Sequence, residues 1–166
     1  MAIPVPEPYG SELQLWRALL GDPLGLRVPA HITLLPPTRV SRLALGELEA
    51  HLYRTGAAHP PFTVVLRGTA SFRPVSAVVF VAVRQGAAEC ERLQRYVRSG
   101  PLERPLAFPY HPHVTVAHGL DDERLDAAGR RLADYEVKFT ADSFGLYEHG
   151  ADGFWRLRRR YALDGG

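Results

Sequence analysis

One short pattern occurs twice, and it restricts the fold more than any other feature of the chain. It is His31-Ile32-Thr33 and His113-Val114-Thr115, 82 residues apart in a sequence of 166. Both copies sit in runs of aliphatic and β-branched residues, VPAHITLL and HVTVAH, of the kind that build strands. Along a strand, residues two apart share a face and lie ~6.5 Å from each other. His and Thr of each copy therefore project together, while Ile32 and Val114 turn the other way, toward a core. A separation of half the chain predicts an internal repeat, although a plain alternation of helices and strands would look similar.

Gly and Pro cut the remaining sequence into short elements. The pattern predicts a helix over 11–20 capped by Ser11, a strand over 28–35 ending at Pro36-Pro37, and a helix over 41–56. The second helix is capped by Ser41, with Leu43, Leu45, Leu48 and Leu52 along one side. Strands follow over 62–72 and 76–83 around a turn at Arg73-Pro74, then a helix over 87–99. After the second His strand come a helix over 121–135 and a final strand pair, 137–148 and 154–162, around a turn at 150–153. The order is helix, His strand, helix, strand, strand, and then the same again. The expected fold class is α+β: a bilobal internal duplication with antiparallel sheets flanked by helices and a cleft between the lobes. One domain spans 1–166, its lobes at about 1–84 and 85–166, with room for strand exchange between them.

Composition narrows the partners. With 46% hydrophobic and 23% charged residues the chain falls in the ordinary globular range, and no apolar run is long enough for a membrane span. The start of the sequence, MAIPVPEPYG, does not read as a secretion signal, and Cys90 is the only cysteine, so a cytoplasmic protein without disulfides is expected. Lys138 is the only lysine, so nearly all positive charge is arginine, whose fork suits phosphate; a GC-rich genome gives the same bias. Arg156, Arg158, Arg159 and Arg160 read as the solvated side of a last strand. No obligate protein partner is evident.

The doubled motif carries chemistry. When water attacks a phosphodiester it loses a proton, and the departing oxygen gains one. Two imidazoles with ordinary pKa near ~6.5 can do both, one entering neutral and the other protonated. Threonine hydroxyls can donate to the non-bridging oxygens, where charge builds. Neither metal nor other cofactor is called for. His31 and His113 are thus the candidate catalytic pair, and Thr33 and Thr115 the candidate phosphate contacts. One such tripeptide is a weak signal; two in matching surroundings are specific.

VPAHITLL and YHPHVTVA resemble the paired motifs of the 2H phosphoesterase superfamily, in its 2′-5′ RNA ligase and cyclic phosphodiesterase branch. The resemblance extends over most of the chain, including the closing FGLYE and FWRLRRRYAL runs. It implies a two-lobed fold acting without metal on 2′,3′-cyclic or 2′,5′-linked phosphodiesters of RNA ends or nucleotides. It also implies His113 as base and His31 as acid, roles that exchange if the reaction runs backwards as ligation. A non-catalytic module binding nucleotides or RNA ends is the rival reading. The chain departs from the family pattern at His118, where many members carry arginine five residues after the second motif histidine. It departs again at Pro36-Pro37, where relatives often place a bulky residue.

Four further residues are candidate substrate contacts: His118, Tyr110, Phe72 and Arg73. Phe72 and Arg73 end a strand where a ring and a guanidinium could meet a base or ribose, though core packing also accounts for Phe72. Tyr110 precedes the second motif. His111, His113 and His118 lack a carboxylate partner, and alternation puts His118 on the opposite face from His113, which argues against zinc. Cys90 reads as a small buried hydrophobe.

Overall fold

The computed structural model describes residues 1–106 and 108–165. Its strands are β1 (Ala2–Pro4), β2 (His31–Thr33), β3 (Phe62–Ser71), β4 (Val78–Gln85), β5 (His113–His118), β6 (Glu136–Ala141), β7 (Ser143–His149) and β8 (Trp155–Ala162). Its helices are α1 (Tyr9–Leu19), α2 (Leu45–Ala57), α3 (Ala87–Val97) and α4 (Asp122–Arg131), with 3-10 turns at Arg42–Ala44 and Gly100–Leu102. The fold is mixed α+β. All eight strands form one antiparallel sheet in the order β6-β3-β4-β5-β2-β1-β7-β8. The two His strands, β5 and β2, are its central pair. Each half of the sequence supplies two strands to either side of that seam.

Burial explains why the sheet has two unlike faces. Ile3, Ile32, Val79, Val81, Val114 and Val116 lie on one face and are almost completely enclosed. They form a single core with Leu13 of α1, Leu48 and Leu52 of α2, Cys90, Leu93 and Val97 of α3, and Leu125 and Ala128 of α4. All four helices therefore cover the same face. Removing each such side chain from water contributes ~1.5–3 kcal/mol, which fixes the strand register, because a one-residue slip would carry the set to the other side. The opposite face holds a smaller apolar cluster, Val78, Phe80 and Ala82 with Phe72 against it. No helix among the described residues is long and apolar enough to cross a membrane.

Several element boundaries differ from the sequence reading. Ser11 lies inside α1, its backbone N–H donating to Glu7 Oε2 at 3.2 Å, and Pro8 is the cap. Ser41 does cap, but it caps the 3-10 turn, whose Leu43 is 98% exposed instead of joining the α2 stripe. The expected 137–148 strand is two strands parting at Asp142, because β6 pairs with β3 while β7 pairs with β1 and β8. The first His strand keeps only three paired residues of the expected eight. β1 has no counterpart among the sequence expectations: three residues among prolines carry no local periodicity, yet their pairing with β2 and β7 places them mid-sheet.

Candidate active site

β2 and β5 run antiparallel with Ile32 opposite Val114. That register sets His31 across from Thr115 and Thr33 across from His113, and directly opposed side chains have Cβ atoms ~4.5–5.5 Å apart. The four polar side chains therefore form one patch on the face turned away from the helices, at the centre of the sheet. All four are half-buried.

Both imidazoles are oriented in the same way. His31 Nδ1 lies 2.7 Å from the carbonyl oxygen of Pro29, and His113 Nδ1 lies 2.7 Å from that of His111. A carbonyl can only accept, so each Nδ1 carries the hydrogen, and each Nε2 is the nitrogen free for proton exchange. Thr33 Oγ1 lies 3.1 Å from His31 Nε2, with its hydroxyl donating to the neutral ring. Burial pushes the His31 pKa from 6.5 down to about 4, opposed by the Pro29 hydrogen bond and reinforced by the Arg17 cation. Burial also lowers His113, against the hydrogen bond to His111.

Aromatic rings wall the patch on both sides. The Trp155 ring lies 4.7 Å from His31 at an interplanar angle of 31°. Phe72 stands edge-on to His113 at 4.9 Å and 86°, with Phe80 at 5.0 Å. Next to Thr33 along the face come Ala2 and then Gly145. A Cβ at Gly145 would lie 2.6 Å from the Tyr147 ring and 2.7 Å from Leu157, so glycine there lets these two side chains close over the strand.

The loop behind His31 is held by a buried ion pair. Arg17 Nε and Nη2 both reach Asp22 Oδ2, at 3.0 and 2.8 Å, and Asp22 Oδ1 accepts the Leu24 N–H at 2.8 Å. The Leu24 carbonyl accepts the N–H groups of Arg27 and Val28, and the Arg27 carbonyl accepts that of Trp155 at 2.9 Å. This one loop thus supplies the Pro29 carbonyl behind His31 and anchors the start of β8 beside it.

The other candidate contacts fall in different places. Phe72 belongs to the patch. Tyr110 donates its hydroxyl to the Thr33 carbonyl at 3.0 Å and packs on the core, so it braces β2, and burial raises its pKa. The Arg73 guanidinium is taken by Asp122 at 3.0 Å and Asp126 at 2.6 Å on α4. His118 corrects the alternation argument. Phe80 pairs with Thr115 but Val79 pairs with Ala117, leaving Val116 as an extra residue, and beyond this bulge His118 pairs with Val78. His118 therefore returns to the face of His113 and Thr115. Among the described residues no three His, Cys, Asp or Glu side chains are grouped to hold a metal ion.

Trp155, Pro29 and His111 contribute to the site without being candidates from sequence. The contact between Trp155 and His31 crosses 124 residues and has no local signature, whereas Pro29 two residues before one motif and Pro112 just before the other are visible hints of a shaped approach.

Comparison with known proteins extends these observations. A relative in Bacillus pumilus (strain SAFR-032) is 30% identical over 144 residues, spanning 86% of this chain and 84% of the relative. One in Bacillus thuringiensis (strain Al Hakam) is 29% identical over 147 residues, spanning 87% and 85%. Both are named, provisionally, as phosphoesterases. Among solved structures, TT0787 of Thermus thermophilus superposes with a TM-score of 0.71 at 18% identity, covering 99% of this chain and 96% of that one. LigT of E. coli complexed with 3′-AMP gives 0.69 at 23%, covering 98% and 95%. These structural likenesses establish the shared fold. The family profile of the 2′-5′ RNA ligase superfamily matches residues 4–153, nine-tenths of the sequence, and the chain belongs to that superfamily.

Proposed function

We propose that the chain is a phosphoesterase that opens 2′,3′-cyclic, or cleaves 2′,5′-linked, phosphodiesters of RNA ends or nucleotides, using His31 and His113 as the proton-transfer pair without a metal. The observation that carries this reading is the Ile32–Val114 register, which sets each histidine across from the other motif's threonine. Family membership, the phosphoesterase names of the relatives and the 3′-AMP bound by E. coli LigT support it.

In this reading the phosphate lies over the seam with Thr33 and Thr115 donating to its non-bridging oxygens. His113 Nε2 takes the proton from attacking water, and His31 Nε2–H protonates the departing ribose oxygen. His31 is neutral in the free protein, with its pKa at about 4. The anionic phosphate alongside raises that value and favours uptake of the proton that will be donated. The fixed Nδ1 hydrogen bonds keep both Nε2 atoms aimed at the substrate. The seam between β5 and β2 is, on this view, the boundary between two pseudo-repeated lobes.

The test is incubation with nucleoside 2′,3′-cyclic monophosphates and chromatography of the products. Turnover by the unaltered protein is expected, with a loss of ~10³-fold or more in His31→Ala and His113→Ala, each folded by circular dichroism. Most of the activity surviving in either variant overturns the assignment.

A further inference from the structure

Trp155 has two roles in space. Its ring walls His31 at 4.7 Å, and it also lines a separate cavity of about 810 Å³. Cavities that bind small molecules span ~300–1,000 Å³, so this one has room for a nucleotide-sized ligand. Arg39, Arg42 and Arg158 line it together with Tyr147 and His149, while Arg158 is already engaged by Glu49 at 3.2 Å. Arg39 and Arg42 are exposed and stand in the stretch that follows the first motif, just past Pro36-Pro37. Tyr147 and His149 hold their rings 6.0 and 6.4 Å from that of Trp155, so the aromatic surface continues from the His31 wall into the cavity.

These features select a particular occupant. Guanidinium forks bind phosphate oxygens in pairs, and ring faces accept nucleobases of any sequence by stacking. Cations and stacking surfaces side by side, next to the wall of a phosphate-handling patch, fit a nucleotide unit joined to the one being processed. We propose that this cavity is a subsite for a second nucleotide, with its phosphate on Arg39 and Arg42 and its base against Tyr147 and Trp155. The proposal rests on the phosphodiesterase reading for what happens at the neighbouring patch. It narrows the substrate from mononucleotides to chains of two or more units.

Binding can be measured without turnover. Calorimetry would compare a dinucleotide ending in a 3′-phosphate with the matching 3′-mononucleotide and the matching nucleoside 3′,5′-bisphosphate. The dinucleotide is expected to bind at least tenfold tighter than the mononucleotide, with the bisphosphate falling between them. The Arg39→Ala/Arg42→Ala protein should hold bisphosphate and mononucleotide with affinities within about twofold. Equal affinities in the unaltered protein would overturn the subsite. So would a bisphosphate advantage over the mononucleotide that survives the double substitution, or a bisphosphate that matches the dinucleotide. If cyclic phosphates are never opened but the dinucleotide preference stands, the reaction falls and the subsite remains; turnover without the preference has the reverse meaning.

Discussion

Ile32 and Val114 face one another across the centre of the sheet, both sealed in the core, and the patch of His31, Thr33, His113 and Thr115 is the reverse side of that apolar contact. The register that buries the two aliphatic side chains is the same register that brings together two imidazoles and two hydroxyls. Stability and site geometry are therefore set by one pairing.

The hydroxyls can be tested separately from the imidazoles. Thr33→Ala and Thr115→Ala should each cost on the order of 2–4 kcal/mol of barrier, the value of a preorganised donor to developing charge. Steady-state kinetics on a cyclic phosphate would show this as a fall in kcat, with Tm changed little because both side chains are half-buried on the open face.

Acid should weaken the fold through His31. Its folded pKa of about 4 lies below the ordinary 6.5, so the unfolded chain takes up the proton first as pH falls. The stability present above pH 6.5 is lost between 6.5 and about 4, with a slope of at most ~1.4 kcal/mol per pH unit for this one group. His113 is lowered too and acts with the same sign. Urea unfolding across that range should give a steep loss for the unaltered protein and a shallower one for His31→Gln; parallel curves would contradict the shift.

Trp155 encloses His31, so Trp155→Ala should return the His31 titration toward 6.5, while Trp155→Phe should keep most of the depression. Imidazole proton shifts followed by NMR against pH give the answer directly. An unchanged titration in Trp155→Ala would mean that the indole contributes nothing to the burial.

Asp22 and Arg17 are both only 4% exposed. Replacing one partner strands the other's charge, and Asp22→Asn or Arg17→Met should cost ~3–5 kcal/mol. The double replacement Arg17→Met/Asp22→Leu should be less destabilised than the sum of the two single changes. The same loop carries the Pro29 carbonyl, so a loss of kcat in the refolded double variant would report loosened aim of His31.

Excess chelator should leave the rate on cyclic phosphates unchanged, because proton transfer by the two imidazoles involves no metal in the proposed reaction. Complete loss, restored by added zinc, would refute that reaction.

Much of this architecture is legible in the sequence because its determinants are local. The alternation His113-Val114-Thr115-Val116 announces a strand with one wet and one buried face, and Asp121 accepting the Arg124 N–H at 2.9 Å is the cap that the acidic start of α4 suggests. What escapes depends on distant partners. β1 is a strand only because β2 and β7 flank it, and Trp155 joins the patch through its pairing with His149 of β7 and the tether from Arg27. Arg73 is legible as a strand-end cation, but its acidic partners on α4 lie 49 and 53 residues away in sequence.

The bulge at Val116 has a consequence for how related chains differ. Thr115 and His118 are three apart, an odd spacing that would ordinarily send them to opposite sides of a strand, and the additional valine cancels the parity. A chain of the same length paired without the bulge would keep its first three positions in place but swing the imidazole equivalent to His118 behind the sheet, whereas one lacking the additional valine would keep it in front by plain alternation. How the strand pairs in this stretch, as much as residue type, then governs whether a side chain at its far end faces the patch.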